Sequence, residues 1–341
     1  MSRSDLMKTR IAGVITLIAA ALFAQPGNPT MKAIMVREYG GPEVLKLEKV
    51  PRPEPKENEV LIRVIAAGVN PVDAGIRSGH YSKYFGPKPP FIPGSDVAGV
   101  IEESKVDKYK RGDAVYGYLD LDRGGGYAEY TIAKEREISA KPKSLSFVEA
   151  AGVPIVALTA WQALIDTAKL SVGQTVLIHG GSGGVGSFAI QIAKTKGARV
   201  YATASTRNQD FLKQLGADVA IDYTKQKFED IAKDVDAVLE SVGGDTLTRS
   251  YGVVKKGGII VSLVGPPNQA ELAKHGIRGV ALGVGPDSRQ LTEIGKLIDD
   301  KKIKVIVSQT FPLAEAAKAQ EQVATGHTRG KIVLKVADES R

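Results

Sequence analysis

Cysteine is absent from this chain of 341 residues. Without thiols the protein can form no disulfide, bind no zinc through thiolates and use no cysteine as a nucleophile. Histidine is scarce as well, and the spacing of its four copies matches no zinc-binding motif: His80, His179, His275 and His327. The composition therefore predicts that no metal is bound, and it excludes functions that depend on a thiol of this chain.

Aromatic residues are also few, at 6% of the chain, whereas hydrophobic residues make up 43% and charged residues 25%. These fractions are ordinary for a globular protein, and the length allows two domains with a sizeable core. The formal net charge of +8 favours an anionic ligand or nucleic acid. No basic tract interleaved with aromatic residues occurs, so no nucleic-acid partner is expected, and a scattered charged surface is the alternative.

The first 30 residues differ from the rest. Basic residues precede an apolar run at 11–24, which is followed by a short segment rich in proline. This pattern is typical of a signal peptide and linker, and the run is too short to span a bilayer comfortably. A periplasmic or secreted protein with no stable membrane span in the mature chain is then expected. The alternative is translation from Met31 and a cytoplasmic protein.

Two patterns divide the remaining chain. Residues 31–150 carry short runs rich in β-branched residues, such as 60–64, between turns rich in glycine and proline, which predicts a small irregular barrel. Ser146 and Glu149 then form a capping box that opens a helix, and a second helix is predicted over 157–167. Beyond these helices, apolar strands alternate with amphipathic helices, as in a parallel sheet with crossover helices.

The predicted strands of this second region cover 175–179, 199–203, 218–221, 236–240, 258–264 and 278–284. Helices are predicted between several of them, over 184–196, 208–215 and 245–255. The tail is expected to form helices near 287–300 and 313–325 and a last strand near 331–336. The pattern as a whole predicts an α/β fold.

A glycine-rich turn follows the first of these strands. Gly181, Gly183 and Gly186 satisfy the G-x-G-x-x-G spacing, and three further residues complete the turn: Ser182, Gly184 and Val185. The first glycine permits a tight bend, the second lets the backbone approach a pyrophosphate, and the third lets the helix pack on the strand. The helix N-terminus then offers N–H groups to the anion. The turn predicts a dinucleotide site; the alternative is a flexible glycine-rich loop.

The end of the second strand distinguishes NADP from NAD. An NAD site usually places a carboxylate there for the ribose 2′-hydroxyl, but no acid occurs before Asp210. Ser205 can hydrogen-bond a 2′-phosphate, and Arg207 can pair with it. NADPH is therefore the predicted cofactor. In the alternative interpretation, Arg207 is only a solvated residue at a helix start.

Several further motifs follow one another along the chain, at 68–73, 76–79, 93–99, 125–130, 158–161 and 329–334. Together they resemble the medium-chain dehydrogenase/reductase superfamily in its zinc-free quinone oxidoreductase branch, over nearly all of residues 31–336. The resemblance implies an α/β fold: a GroES-like β-barrel catalytic domain with an inserted Rossmann domain, which is a doubly wound parallel sheet. It places the barrel domain at 31–153, the Rossmann domain at 154–287 and a return to the barrel domain at 288–341.

The resemblance also implies the chemistry. Zinc-dependent members carry Cys and His ligands in the barrel domain, whereas this chain has Asn70 near one such position and Ser95 in place of a histidine. The implied activity is NADPH-dependent reduction of quinones or α,β-unsaturated carbonyls by hydride transfer, in a homodimer formed through strand 278–284. The alternatives are a non-catalytic NADPH-binding or RNA-binding module, which only the net charge favours, and a simple alcohol dehydrogenase, which the missing metal ligands disfavour.

Roles for individual residues follow from the same resemblance. Asn70 and Tyr81 are the expected donors to the substrate's carbonyl oxygen, with Tyr84 a weaker third candidate. Thr159 is expected at the nicotinamide half of the cofactor. The other cofactor-side candidates are a residue beside the adenosine phosphate, a strand end that binds the carboxamide and two basic residues: Tyr223; Leu263, Val264 and Gly265; Arg329 and Lys331. For each, the alternative is a turn, core or surface residue without ligand contact.

Two Tyr-x-x-x-Lys pairs match the spacing of short-chain dehydrogenases: Tyr84 with Lys88, and Tyr251 with Lys255. The first pair lies among proline and glycine, and the second lies on a predicted helix. Short-chain enzymes open with their glycine-rich strand, whereas a long segment precedes it here, which disfavours that interpretation. Separately, Glu240 stands where the resemblance leads us to expect aspartate.

Overall fold

The computed structural model describes residues 29–339, so the predicted signal segment at 1–24 lies outside the described residues. The described strands are β1 (Thr30–Met35), β2 (Lys46–Pro51), β3 (Glu59–Val69), β4 (Asp96–Ser104), β5 (Ala114–Tyr118), β6 (Tyr130–Lys134), β7 (Ile138–Ala140), β8 (Thr175–Ile178), β9 (Arg199–Ala204), β10 (Val219–Asp222), β11 (Val235–Glu240), β12 (Val254–Ser262), β13 (Arg278–Ala281), β14 (Val307–Pro312) and β15 (Lys331–Lys335). The described α-helices are α1 (Pro71–Arg77), α2 (Phe147–Ala151), α3 (Pro154–Trp161), α4 (Gly184–Thr195), α5 (Gln209–Gln214), α6 (Phe228–Ile231), α7 (Gly244–Ser250), α8 (Gln269–His275), α9 (Ser288–Asp299) and α10 (Ala316–Ala324).

A seven-stranded sheet forms the barrel, in the order β14-β15-β3-β4-β5-β7, with β6 paired to β3. β15 runs antiparallel to β3 and sets Ile332 opposite Val69. The last strand of the chain is therefore built into the sheet that the first part of the chain began. β1 and β2 form a separate antiparallel pair.

A six-stranded parallel sheet occupies the middle of the chain, in the order β10-β9-β8-β11-β12-β13. This is the strand order of a doubly wound dinucleotide-binding sheet, whose order reverses beside the first strand. Its strands are apolar and buried, as parallel strands covered by helices on both faces must be. The predicted fold class, a GroES-like barrel with an inserted Rossmann domain, is confirmed.

Three elements differ from their sequence predictions. The helix predicted over 245–255 ends at Ser250, because the segment from Val254 onward joins the sheet as β12. The helix predicted from 157 starts at Pro154 and widens into a π-helical turn over Gln162–Thr167. β14 was not predicted, since its residues alternate weakly and are fixed by pairing with β15.

The positions of these residues in the fold also argue against a catalytic role for the two Tyr-x-x-x-Lys pairs. Lys255 lies in β12 and forms an ion pair with Asp236, whereas the buried Tyr251 hydroxyl accepts the N–H of Asn268 at 2.7 Å. Tyr84 of the first pair is 82% exposed. Neither pair shares a helix face, so the short-chain interpretation is not supported.

Among residues 29–339, no helix is long and apolar enough to cross a membrane.

Tyr116 on β5 joins the barrel to α9. Its hydroxyl is fully buried and donates to the Leu291 oxygen at 2.6 Å. Next to it, the hydroxyls of Ser139 and Thr292 lie 2.9 Å apart. These polar contacts hold α9 at a fixed position against the barrel wall.

Replacing Tyr116 with Phe should lower the free energy of unfolding by about 1 kcal/mol, because a buried hydrogen bond is lost with little change in packing. Urea denaturation measures this effect. The matched control is Tyr84→Phe, which removes an exposed hydroxyl and should leave the transition midpoint unchanged. Equal midpoints for Tyr116→Phe and the unaltered protein would contradict this role.

Candidate active site

The candidate site lies at the carboxyl ends of the parallel strands. The strand order reverses between β8 and β11, and sheets of this kind bind ligands in the crevice outside such a reversal. Residues 180–186, called the phosphate loop below, connect β8 to α4 at this crevice.

Glycine is required at several points of the phosphate loop for different reasons. The left-handed bend falls on Gly180, with φ of 66°, and not on Gly181 as the motif led us to expect. A Cβ on Gly181 would stand 2.9 Å from the Leu212 Cδ2 atom, and one on Gly186 would stand 2.3 Å from the Gly180 oxygen. The loop therefore packs against α5 and α4 with no room for a side chain at these two positions.

The outer face of the loop is open at Gly183. Apart from its chain neighbours, the only heavy atom of the described residues within 4 Å of a Cβ built there is the Gly180 oxygen, at 3.4 Å. Gly183 is the N-cap of α4, and no side chain caps this helix. The N–H groups of the first turn, with the positive end of the helix dipole, are therefore available to an anion. This cradle fits a dinucleotide diphosphate.

Ser205 and Arg207 follow β9 at the edge of the same crevice. Arg207 is exposed, and its Nη2 donates to the His327 oxygen at 3.3 Å. Arg329 returns from the end of the chain to this place, where its Nε donates to Asn208 Oδ1 at 3.0 Å and its Nη2 donates to the Arg207 oxygen at 3.1 Å. Within residues 29–339 neither guanidinium forms a salt bridge, so both positive charges remain available to a phosphate.

Asn208 is a site residue that the sequence reasoning missed. Its side chain is buried, and Nδ2 donates to Ser182 Oγ at 3.1 Å and lies 3.4 Å from Ser205 Oγ. It thus ties the phosphate loop to the end of β9 and to Arg329. An asparagine after Arg207 carries no distinctive sequence signal, because only the fold brings its three partners together.

Other cofactor-side candidates lie at neighbouring strand ends. Tyr223 directly follows β10 and is 57% exposed. After β12, Leu263 donates its N–H to the Glu240 oxygen at 2.8 Å, and Val264 is half-exposed. Gly265 has φ of 135°, a conformation that only glycine adopts easily. The backbone of this segment therefore turns along the crevice, where the resemblance expects the carboxamide.

Thr159 lies on the buried side of α3, and its hydroxyl donates to the Ile155 oxygen at 2.6 Å. The Ile155 N–H donates to Asp96 Oδ1 at 2.7 Å, which fixes α3 to the barrel strand β4. The other oxygen of this carboxylate, Oδ2, accepts from Asn70 Nδ2 at 2.9 Å. The Asp96 carboxylate thus connects Asn70 with α3, the helix that carries Thr159.

Asn70 stands between β3 and α1 and is only 3% exposed. Its main-chain N–H donates to Asp73 Oδ2 at 2.9 Å, which closes the first turn of α1. Its Oδ1 accepts a hydrogen bond from the Lys331 ammonium. These bonds use one of the two Nδ2 hydrogens, so the second can donate to a ligand.

Tyr81 lies in the loop after α1. Its ring stacks on Phe85 with ring centroids 4.7 Å apart. A Cβ on Gly75 would stand 2.2 Å from Tyr81 Cε2, so glycine at this position lets the ring lie on α1. The Tyr81 hydroxyl makes no hydrogen bond with the described part of the chain and is free to donate. Packing therefore orients Tyr81, in contrast to the exposed Tyr84.

Lys331 lies elsewhere than expected. Its ammonium is buried and does not face a phosphate: it donates to the Val69 oxygen at 3.0 Å, to Asn70 Oδ1 and to Asp96 Oδ2 at 3.3 Å. The physical reason is the pairing of β15 with β3, which sets the first residue of β15 beside the end of β3. Its charge therefore belongs to the substrate side.

Comparisons with known proteins agree with this architecture. Residues 56–143 match the family model described as alcohol dehydrogenase GroES-like domain, and residues 215–334 match the one described as zinc-binding dehydrogenase. The chain is 39% identical to the NADPH-dependent alkenal/one oxidoreductase of Arabidopsis thaliana, over 89% of this chain and 79% of that protein. It is 37% identical to the quinone oxidoreductase of Mus musculus, over 90% of this chain and 98% of that protein.

A solved structure shows the same likeness in three dimensions. The quinone oxidoreductase from Coxiella burnetii superposes with a TM-score of 0.83 at 39% identity, covering 91% of this chain and all of the other. The chain belongs to the medium-chain dehydrogenase/reductase superfamily, in its quinone oxidoreductase branch. One matched family model is described as zinc-binding. Within residues 29–339, however, no three or more His, Cys, Asp or Glu side chains lie close enough together to hold a metal ion.

The substrate side of this quinone oxidoreductase homologue contains two buried carboxyl groups and one ammonium. Burial is the main cause that raises the pKa of Asp73 to about 7, and burial also raises the pKa of Asp96 against the opposing effect of Lys331. The Tyr127 hydroxyl donates to Asp73 Oδ2 at 2.8 Å. With one positive charge for two acids, Asp73 is the group that titrates near neutrality.

Two further buried groups, His179 and Glu240, lie at the ends of β8 and β11. Burial lowers the pKa of His179 to about 3, and its ring nitrogens lie 3.1 Å from Thr203 Oγ1 and 3.0 Å from Ser250 Oγ. Glu240 Oε1 accepts from the N–H of Val242 at 2.6 Å. Burial raises the pKa of Glu240. Glu240 therefore organises the turn after β11, a structural task that the sequence did not reveal.

Replacing Asp73 with Asn should change how stability depends on pH. The folded pKa of about 7 lies above the usual aspartate pKa of 3.8, so the folded state retains a proton that the unfolded state releases between these values. This group's contribution to stability is complete below about pH 4 and is lost as pH rises through about 7. Relative to the unaltered protein, the variant should gain up to about 4 kcal/mol between pH 4 and pH 8.

Urea denaturation across this pH range measures the gain. Asp107→Asn, on the exposed loop after β4, is the matched control and should keep the pH profile of the unaltered protein. Parallel profiles for Asp73→Asn and the unaltered protein would show that Asp73 is not the titrating group.

Proposed function

We propose that the protein reduces quinones or α,β-unsaturated carbonyls with NADPH, by hydride transfer and without zinc. The observation that carries the proposal is the crevice at the strand ends, where an open helix N-terminus and two unpaired guanidinium groups lie on one side and Asn70 lies on the other. The printed names of two relatives, an alkenal/one oxidoreductase and a quinone oxidoreductase, support the same chemistry.

NADPH, when bound, supplies the hydride and therefore the redox chemistry. The phosphate loop and the first turn of α4 would hold its diphosphate, and Ser205, Arg207 and Arg329 would hold its 2′-phosphate. The main chain after β12 and Thr159 would position the nicotinamide half. The protein's own contribution is to place the reacting carbons together and to exclude water.

Reduction of a quinone or enone builds negative charge on a carbonyl oxygen. The chain has no cysteine, and Ser95 stands where zinc-dependent members carry a histidine, so hydrogen-bond donors must meet this charge. Asn70 Nδ2 and the Tyr81 hydroxyl are the candidates, since each has an uncommitted hydrogen on the substrate side. Fixed donors at a developing oxyanion lower the barrier without reorganisation, typically by about 3 kcal/mol each.

A substrate panel tests this function. Purified protein, dialysed against EDTA, should oxidise NADPH when quinones or enones are added, and NADH should serve less well. Addition of zinc should not raise the rate. NADPH binding without turnover across the whole panel would favour a non-catalytic cofactor-binding module, and absence of NADPH binding in calorimetry would refute the site itself.

Arg207→Asp should weaken NADPH far more than NADH, because a carboxylate repels the 2′-phosphate that NADH lacks. Loss of one charge-assisted contact and gain of a repulsive one should raise Kd for NADPH by about 100-fold. Fluorescence titration with both cofactors measures the ratio. Arg111→Asp, between β4 and β5, is the matched charge control; equal losses of NADPH and NADH in Arg207→Asp would reject the role.

Assembly and location are part of the proposal. β13 is the edge strand of the six-stranded sheet, and Val280 on it is 37% exposed, so a second copy could pair along this edge to form a homodimer. Analytical ultracentrifugation tests the dimer. Export to the periplasm or beyond requires cleavage near residue 24, which sequencing of the mature N-terminus tests; translation from Met31 would leave the protein in the cytoplasm.

A further inference from the structure

Three consecutive residues touch three parts of the site. The Arg329 side chain bonds to Asn208 and Arg207 at the end of β9. The Gly330 N–H donates to the Ser182 oxygen of the phosphate loop at 2.9 Å. The Lys331 ammonium bonds to Asn70 and Asp96 on the barrel side. This segment, 329–331, is therefore in direct contact with the cofactor cradle and with the substrate side.

The segment has little freedom to move. Gly330 has φ of 65°, and a Cβ there would stand 2.3 Å from the Ile306 oxygen, so only glycine fits. The Lys331 N–H donates to the same Ile306 oxygen at 2.9 Å. The Lys331 stem reaches past the start of α4, since a Cβ on Gly184 would stand 3.2 Å from Lys331 Cδ. Lys331 and its neighbour Gly330 are therefore packed directly against the phosphate loop.

Lys331 and Asp96 together dictate which way the Asn70 amide faces. An ammonium can only donate and a carboxylate can only accept, so Oδ1 must face Lys331 and Nδ2 must face Asp96. A flipped amide would set its N–H groups against the ammonium and its oxygen against the carboxylate. The orientation that remains is the one in which Nδ2, with a free hydrogen, can serve as a donor to a substrate oxygen.

We propose that Lys331 is a positioning residue: it holds the Asn70 amide in its donating orientation and links that orientation to the seating of the phosphate loop. The inference rests on the proposed function, in which Asn70 donates to the substrate's carbonyl oxygen. A buried ion pair with Asp96 could instead serve stability alone, in which case its effect would not depend on Asn70.

A double-mutant cycle separates these roles. Asn70→Ala, Lys331→Met and the double variant are compared for kcat at saturating NADPH, KM for a quinone, Kd for NADPH and Tm. Asn70→Ala should lower kcat by about 100-fold. Lys331→Met should lower kcat by about 10-fold or more on its own, but by less than about twofold when Asn70 is already alanine. Lys335→Met, on the exposed side of the same strand, is the control and should leave kcat unchanged.

Additive effects on kcat, or unchanged kcat in Lys331→Met, would overturn the inference while leaving the proposed function intact. Absence of turnover in the unaltered protein would overturn the proposed function and the inference with it. Lys331→Met leaves the Asp96 carboxylate buried without its cation and so endangers folding. If it does not fold, the whole cycle is repeated in an Asp96→Asn background, in which Lys331→Met leaves no unpaired carboxylate, and the same non-additivity between Lys331→Met and Asn70→Ala is expected.

Discussion

The site depends on one buried ammonium, that of Lys331, between the end of β3 and the carboxylate of Asp96. A charge that is only 4% exposed must be fully paired, and its partners here come from parts of the chain far apart in sequence. The same carboxylate accepts the first-turn N–H of Ile155 on α3. The barrel strand β4, helix α3 and the last strand β15 are therefore held together at the point where substrate and cofactor would meet.

On the other side of the crevice, the proposed function assigns anion binding chiefly to the backbone. The phosphate loop offers main-chain N–H groups because Gly183 leaves its outer face open and Gly186 lets α4 approach the loop closely. The two arginines beside it are not paired with acids of the described chain, and Arg329 is further supported by the Phe211 ring, 5.0 Å from its guanidinium carbon. In the proposed function, the diphosphate and the 2′-phosphate would therefore be held by different kinds of group.

Much of the fold follows from local sequence signals. Alternating apolar strands and helices, with the glycine-rich turn after β8, are sufficient to predict the parallel sheet, because each strand must be buried on both faces. Prediction fails where tertiary pairing overrides local preference: Val254 and Lys255 leave a helical pattern to join β12, and the weakly patterned β14 exists only because β15 lies beside it. Asp96 depends likewise on distant partners, whereas Asp73 and Asn208 each combine one contact three residues away with others that only the fold supplies.

The sequence by itself determined the chemistry that is possible. An absence of cysteine, a turn whose glycines suit a diphosphate and a strand end with arginine in place of an acid are properties of local composition, and folding cannot change them. Only the tertiary structure decided which charges are free. Arg207 and Lys331 are both basic residues in motif positions, yet β9 leaves one in solvent whereas the pairing of β15 with β3 buries the other beside Asn70. The difference lies in long-range strand pairing, which joins residues by register and not by proximity in the sequence.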